Sequence, residues 1–335
     1  MPAHGKSLRV LLWHVHGSWT TSFVQGRHSY LVPVTPDRGP DGLGRARTWD
    51  WPTTVEEVAP VVLAGNDIDV VVLQRPHELE LAERWLGRRP GRDVPAVYVE
   101  HNTPLHGTPG VPDTRHPLAD QSAIPVAHVT GFNQLFWDTG DAPTTVIDHG
   151  VLDPGERYTG ELPRAGVVVN EPVRRGRSVG TDLIPRVTRA CPVDVFGMRV
   201  EGLDRALGLP AEALTAHEDL PQERMHAELA RRRVYVHTAR WTSLGLSLVE
   251  AMHLGMPVVA LAATEAAVAV PPEAGVVGTR MDELVAAVRR FVDDPSLGRA
   301  TGKRAREHAL EHYGLARFLA DWDELLATTV AQPAA

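Results

Sequence analysis

The chain has 335 residues, which is enough for two α/β domains of ordinary size, each with its own core. A formal net charge of −8 argues against broad binding to nucleic acids or anionic membranes, because both require a basic face. No apolar run is long enough for a transmembrane segment and the first residues are too polar for a signal peptide, so we expect a cytoplasmic protein.

Aliphatic strands alternate with helical segments in the first half of the chain. We predict strands at 8–15, 69–73, 96–99, 127–130 and 144–147, and helices at 78–86 and 133–138. Alternation of this kind predicts a parallel, doubly wound sheet.

Histidines directly follow two of these strands. His14-Val15-His16-Gly17-Ser18-Trp19 ends the first strand, and His101 follows the strand at 96–99. The Trp19 indole suits two interpretations, stacking on a sugar ring or burial in the core. His101 likewise suits a site residue or a histidine that hydrogen-bonds to neighbouring backbone.

A stretch rich in Gly, Pro and charge, residues 151–163, predicts a linker between two domains. Beyond it we predict strands at 166–169, 193–197, 233–237 and 258–261, and helices at 181–190, 222–231, 282–293 and 314–328.

Three arginines, Arg174, Arg175 and Arg177, lie between the first of these strands and the helix predicted from Thr181. Guanidinium groups near a helix N-terminus suit a diphosphate. A solvated surface cluster is the alternative.

The segment from Arg240 to Ala260 is the most informative part of the chain. Apolar spacing predicts a helix over 244–254, with Gly255 as a left-handed C-cap before Pro257. Because a strand precedes it, this helix begins at the carboxyl edge of a parallel sheet. Its free N–H groups around Ser243 to Gly245 attract phosphate, by roughly 0.3–1 kcal/mol when exposed and up to about 2 when partly buried.

Gly245, Glu250-Ala251-Met252, Gly255 and Pro257-Val258-Val259 resemble the C-terminal signature of glycosyltransferase family 4, the retaining GT-B enzymes. The resemblance implies an α/β protein with two Rossmann-like, doubly wound parallel-sheet domains and a cleft between them. Residues 1–158 would bind the acceptor, residues 159–313 would bind the donor, and a helix at 314–330 would return to the first domain.

The same resemblance implies the site residues. The family signature is E-x7-E; Glu250 matches the second glutamate, which holds the donor ribose, whereas Thr242 replaces the first, which touches the sugar. The donor-binding residues implied are Arg175, Thr242, Ser243, Leu244, Gly245, Leu246 and Glu250. The catalytic residues implied are His101, Arg174 and Arg177, and the acceptor-binding residues are His16, Gly17 and Trp19.

We therefore expect a retaining glycosyltransferase that moves a sugar from a nucleotide diphosphate-sugar to an acceptor hydroxyl. Neither an H-E-x-x-H nor a C-x2-C spacing occurs, so no structural zinc site is expected. The resemblance implies that no catalytic metal is required, and we expect no cofactor other than the donor co-substrate. The acceptor is left open among glycans, small molecules and lipid-linked sugars. Two alternatives remain, an inactive nucleotide-sugar sensor or partner, and a nucleotide-sugar epimerase on the same fold.

A plain αβ unit is the structural alternative for the signature itself. In that interpretation Thr242 or Ser243 caps the helix and Glu250 is a solvated surface charge.

Overall fold

The computed structural model of the chain describes residues 6–104 and 114–331. The chain divides into two compact units, described separately below. Unit 1 comprises Met1–Gly150 and Leu315–Ala335, and unit 2 comprises Val151–Gly314. Within the described residues, the strands of each unit form one parallel sheet.

The sheet of unit 1 has seven strands in the order β3-β2-β1-β4-β5-β6-β7. The strands are β1 Arg9–Leu12, β2 Ser29–Pro33, β3 Val55–Val58, β4 Val70–Leu73, β5 Ala96–Glu100, β6 Val126–His128 and β7 Thr144–Val146. The central strands β1, β4 and β5 consist almost wholly of buried aliphatic residues, as expected for a sheet covered on both faces.

The described part of unit 1 contains four α-helices and a 3-10 helix at Pro60–Gly65; only the α-helices are labelled. They are α1 Gly17–Phe23, α2 Glu78–Leu86, α3 Gly131–Phe136 and the last helix of the chain, α12 Leu315–Ala331. The last helix is placed in this unit because Phe318, Trp322 and Leu326 are buried, and the Trp322 ring lies 5.6 Å from that of Trp19.

The sheet of unit 2 has six strands in the order β10-β9-β8-β11-β12-β13. They are β8 Leu162–Val168, β9 Val193–Gly197, β10 Leu214–Glu218, β11 Arg232–His237, β12 Val258–Leu261 and β13 Gly275–Gly278. The strand order reverses between β8 and β11. The loops that follow these two strands therefore diverge at the carboxyl edge, which is where open α/β sheets bind ligands.

Eight helices cover the two faces of this sheet. They are α4 Pro172–Arg175, α5 Ile184–Val187, α6 Leu203–Ala206, α7 Gln222–Leu229, α8 Leu246–His253, α9 Ala266–Ala269, α10 Met281–Asp293 and α11 Pro295–His312. Two apolar clusters result, one beneath α8 and α11 and one beneath α5 and α10.

The predicted pair of Rossmann-like parallel-sheet domains is confirmed. The helix predicted at 181–190 is wrong in form, because a 3-10 turn at Thr181–Leu183 and the short α5 replace it. Pro185 explains the break, since it has no N–H to donate to the carbonyl of Thr181. Glycine 255 does adopt the predicted left-handed conformation, with φ of 83°.

Candidate functional site

Two loops meet at the carboxyl edge of the unit 2 sheet. The hydroxyl of Thr238, directly after β11, donates to the carbonyl of Val179 at 2.8 Å. The backbone N–H of Arg240 donates to the Ser178 carbonyl, also at 2.8 Å. Gly180 permits the two loops to lie this close, because a Cβ at position 180 would lie 1.9 Å from the backbone carbonyl oxygen of Thr238. The loop that carries the three arginines is thus fixed against the loop that leads into α8.

The N-cap of α8 is Gly245, which has no side chain to cap the helix, so the alternative in which Thr242 or Ser243 occupies the N-cap is wrong. Ser243 instead accepts a hydrogen bond through its carbonyl from Glu265 N, at 3.2 Å. In the part of the chain that the structure describes, the backbone N–H groups of residues 244–247 donate to no protein acceptor. These donors and the helix dipole favour an anion at this point.

The imidazole of His237, at the end of β11, lies directly against Gly245. A Cβ at position 245 would lie 2.4 Å from His237 Cε1, so only glycine fits. Burial lowers the pKa of His237 to about 4, which keeps the ring neutral. Tyr235 Oη lies between His237 Nδ1, at 3.4 Å, and Ser247 Oγ, at 2.9 Å. His237 was not predicted as a site residue, although its position at the carboxyl end of a buried strand indicates a residue near the ligand-binding edge of the sheet.

Glu250 is buried rather than solvated, so its interpretation as a surface charge is wrong. Only 5% of the residue is exposed, and Oε2 lies 3.3 Å from Nε2 of His226 on α7. A carboxylate so placed can still accept hydrogen bonds from a ligand.

The other predicted donor-site residues of the loop differ in what they present. Leu244 is buried in the apolar cluster beneath α8, so only its backbone is available to a ligand, whereas Leu246 packs against that cluster and stays partly exposed. Thr242 is partly exposed in the loop before the helix.

The three arginines are not equivalent in the structure. Arg174 forms an ion pair with Glu171, and Arg177 with Asp182 at 2.7 Å. Arg240 binds the same Asp182 carboxylate at 2.6 Å. The Arg175 guanidinium has no hydrogen-bond or ion-pair partner among the described residues, and partial desolvation together with neighbouring Arg174 lowers its pKa. Arg175 is therefore the arginine that a bound anion would engage with the least rearrangement.

His101 in unit 1 directly follows β5, and its ring is hydrogen-bonded to the side-chain amide of Gln74. Its Nε2 lies 3.0 Å from Oε1 of Gln74, whose Nε2 donates to the Trp13 carbonyl at 2.7 Å. This arrangement places the proton of His101 on Nε2. The ring of His16 lies 4.0 Å from that of His101, so these two predicted site residues are neighbours.

His16, His101 and His149 are among the histidines of unit 1 whose pKa values are depressed. Burial and the Arg75 charge lower the pKa of His16 to about 4. Burial and the neighbouring His16 lower the pKa of His149 to about 3, and that of His101 lies well below 6.5 for the same reasons. All three rings are neutral at pH 7. Both ring nitrogens of His149 are buried and have no hydrogen-bond partner within residues 6–104 and 114–331.

Trp19 does not serve as a sugar platform in this structure. Its ring is 1% exposed and packs against Phe23, at 4.8 Å between centroids, and Trp322. An indole with no accessible face cannot stack on a ligand, so the core interpretation of Trp19 is correct. Gly17 is the first residue of α1, directly after the N-cap His16.

Among residues 6–104 and 114–331, no group of three His, Cys, Asp or Glu side chains has a geometry that could hold a metal ion. The described helices include none that is long and apolar enough to cross a membrane.

Residues 199–308, about a third of the chain, match the family model described as "Glycosyl transferases group 1". No curated protein sequence matches the chain. This segment includes α7, β11 and α8, which carry Glu250 and its neighbours.

Several solved structures are similar over nearly the whole chain. A sucrose-phosphate synthase from Thermosynechococcus elongatus has a TM-score of 0.73 at 14% identity, covering 97% of this chain and 99% of that one. HepE from Anabaena, in complex with UDP and glucose, has a TM-score of 0.68 at 16% identity, covering 96% and 100%. A glycosyltransferase from Rickettsia africae has a TM-score of 0.67 at 12% identity, covering 98% and 100%. With two Rossmann-like parallel sheets in this order, the chain has the fold of the GT-B glycosyltransferases, and its second unit carries the segment that matches the group 1 model.

Proposed function

We propose that the protein is a retaining glycosyltransferase of family 4, which transfers a sugar from a nucleotide diphosphate donor to an acceptor hydroxyl. Unit 2 binds the donor, and unit 1 supplies the acceptor site and His101.

The observation that carries this proposal is the combination found at the start of α8. At residues 244–247 lie four backbone N–H groups with no acceptor among the residues that the structure describes, and the buried Glu250 carboxylate lies one turn further along the same helix. A diphosphate and an adjoining ribose require such a pair, donors for the phosphate oxygens and an acceptor for the hydroxyls.

Each residue then has a role that its environment suits. Glu250 accepts hydrogen bonds from the ribose hydroxyls, and the N–H groups of residues 244–247 bind the diphosphate. Arg175, unpaired among the described residues, adds a positive charge that stabilises the departing nucleotide. Arg174 and Arg177 can add further positive charge if the diphosphate replaces Glu171 and Asp182 as their ion-pair partners. Neutral His101 approaches the sugar, while His16 and Gly17 contribute to the acceptor site.

Retention follows from attack on the face that the diphosphate leaves. The acceptor oxygen bonds to the anomeric carbon as the bond from that carbon to the phosphate oxygen breaks. The departing phosphate takes the acceptor's proton. Thr242, where the family has a glutamate, offers no carboxylate nucleophile for a double displacement at that position.

Similar structures supply the choice of ligand. HepE is described in complex with UDP, with UDP and glucose, and with UDP-glucose. We therefore begin with UDP and UDP-glucose, followed by the ADP, GDP and dTDP series.

The first test is calorimetry of the full chain with UDP. Glu250→Ala is expected to weaken binding by about 1.5–3 kcal/mol, the value of hydrogen bonds to a charged group. Glu311→Ala, an exposed glutamate on α11 of the same unit, is the matched control and should bind as the wild type does. Equal affinity in the Glu250 variant and the wild type would remove the proposed donor site.

The second test is incubation with labelled nucleotide sugars, followed by mass spectrometry. Transfer or slow hydrolysis supports the transferase. Binding without turnover indicates a sensor, the alternative that the loss of the first signature glutamate at Thr242 favours, and an isomerised donor indicates an epimerase.

A further inference from the structure

We propose that His226 is a positioning residue, which orients the Glu250 carboxylate for the ribose hydroxyls of the donor. The inference rests on the proposed function, because it assigns to His226 an effect on the contact that Glu250 makes there.

His226 and Glu250 come from two helices that begin at the same edge of the sheet. α7 follows β10 and α8 follows β11, so both helices start at the carboxyl ends of parallel strands. The two side chains are 8% and 6% exposed, and Nε2 of His226 lies 3.3 Å from Oε2 of Glu250. Residues 24 positions apart thus meet where little water reaches them.

The contact fixes the hydrogen on the imidazole. A carboxylate only accepts hydrogen bonds, so Nε2 of His226 must donate to Glu250. Gln222, one turn earlier on α7, has its amide nitrogen Nε2 2.9 Å from the same nitrogen, so a donating Nε2–H of His226 requires the Gln222 amide to be turned by 180°. A rotation of the Gln222 amide by 180° exchanges its nitrogen and its oxygen. With the oxygen facing His226, the amide can accept from the same Nε2–H that donates to Glu250. Gln222, His226 and Glu250 then form a connected polar series from the partly exposed start of α7 to the interior.

Such a donor changes what Glu250 can do. The terminal torsion of a glutamate has a broad distribution, so a free carboxylate samples many orientations. A donor fixed on a neighbouring helix restricts that rotation, which sets the direction in which the carboxylate accepts further hydrogen bonds. Packing alone does not require the pair, because buried ionisable pairs are often replaced by apolar residues without loss of stability.

The experiment compares ligands with and without ribose hydroxyls. The full chain is titrated by calorimetry with UDP and with 2′,3′-dideoxy-UDP, and with the corresponding ADP and GDP pairs. The ratio of the two dissociation constants measures ribose recognition separately from phosphate and base binding. The variants are His226→Met, which keeps an apolar chain but no donor; His226→Gln, whose amide still donates; Glu250→Ala; and the His226→Met/Glu250→Ala double variant.

We expect the wild type to prefer the ribose form by about tenfold or more, as a hydrogen bond to a charged group implies. His226→Met should lose most of that preference, His226→Gln should restore part of it, and His226→Met should add nothing in the Glu250→Ala background. His217→Ala, a half-buried histidine whose ring stacks on Phe196, should leave the ratio unchanged. Should His226→Met melt below the titration temperature, His226→Asn replaces it, because its amide is too short to reach Oε2.

Failure of the inference and failure of the function have different results. An unchanged ratio in folded His226→Met, with the ratio lost in Glu250→Ala, overturns the role of His226 and leaves the donor site standing. An equal affinity for both forms in the wild type, or no binding of any of these nucleotides, overturns the proposed function and the inference with it.

Discussion

Gly245, the N-cap of α8, lies directly against the ring of His237 and beside the N–H groups that are proposed to bind phosphate. A Cβ there would lie 2.4 Å from Cε1 of His237, and that ring is confined by burial beside Tyr235. A larger residue must therefore displace either the imidazole or the first turn of α8. The second displacement would move the N–H groups proposed to bind phosphate.

Gly245→Ala is accordingly expected to weaken UDP binding at least about tenfold, because small misplacements of a binding group cost that much or more. The double variant Gly245→Ala/His237→Ser should recover much of the loss, since the smaller side chain makes room for the Cβ. Gly65→Ala is the control, because a Cβ there meets nothing within 4 Å. The affinity of each variant for UDP is measured by calorimetry. An affinity of Gly245→Ala equal to that of the wild type would show that the start of α8 tolerates the added methyl group.

Thr242→Glu restores the first glutamate of the family signature. We expect it to change the choice among donor sugars more than the affinity for UDP, because that position faces the sugar in the family rather than the nucleotide. The measurement is a panel of UDP-sugars assayed for binding and turnover. An equal loss across all donors would contradict this role.

Single residues were predictable from sequence only where a local pattern marked them. The signature drew attention to Gly245 and Glu250, because the spacing of small, acidic and aliphatic residues is visible along one segment; the structure places Gly245 at the N-cap of α8 and buries Glu250 on that helix. His226 carries no such mark, since its contact with Glu250 exists only after α7 and α8 pack. The burial of Trp19 was equally invisible, because α12, which covers it, lies about three hundred residues further along the chain.

At the scale of elements, aliphatic runs predicted the inner strands well. Val193–Gly197 and Val258–Leu261 have the predicted bounds, as does the helix Glu78–Leu86. The edge strands β3, β10 and β13 were missed, because only part of each is buried and polar residues or glycines interrupt the apolar run. The stability of these edges comes from pairing with a neighbour, which local sequence does not reveal. The inner strand β2 was missed as well, although four of its five residues are buried.

α12 contributes buried aromatic side chains to the core of unit 1. Trp322→Ala is expected to lower the free energy of unfolding by about 3–5 kcal/mol, because the ring is fully buried against Trp19 and Phe23. Glu324→Ala on the exposed face of the same helix is the control and should change little. Urea unfolding followed by circular dichroism measures both. A loss below about 1 kcal/mol in Trp322→Ala would mean that the cavity collapses freely.

For the whole molecule, the neutral histidines of unit 1 make stability depend on pH. His16 and His149 have folded pKa values of about 4 and about 3, below the ordinary 6.5. Below pH 6.5 the unfolded chain takes up protons that the folded chain does not, so the free energy of unfolding falls as the pH falls. Each histidine that stays neutral contributes about 1.4 kcal/mol per pH unit until its folded pKa is reached.

His149→Leu should make this decline shallower by roughly one proton between pH 6 and pH 4. Its ring nitrogens have no hydrogen-bond partner to lose, and an aliphatic side chain has no proton to take up. Val61→Leu, at an exposed site of the same unit, changes no titratable group, so it is the control and should keep the wild-type slope. Chemical unfolding at several pH values gives the slopes, and equal slopes for His149→Leu and the wild type would contradict the assignment.

The bridge between Val151 and Gly314 has a consequence for synthesis on the ribosome. These residues are the first and last of unit 2, and the N–H of Val151 donates to the carbonyl of Tyr313 at 3.0 Å. Unit 2 is therefore an insertion whose two ends are joined, and it can close as soon as Gly314 leaves the exit tunnel. Unit 1 begins before unit 2 but is completed after it, because Phe318 and Trp322 of its core follow Gly314 in the chain. A chain stalled just after Gly314 should hence display a folded unit 2 beside an exposed aromatic surface of unit 1, the kind of intermediate that chaperones recognise.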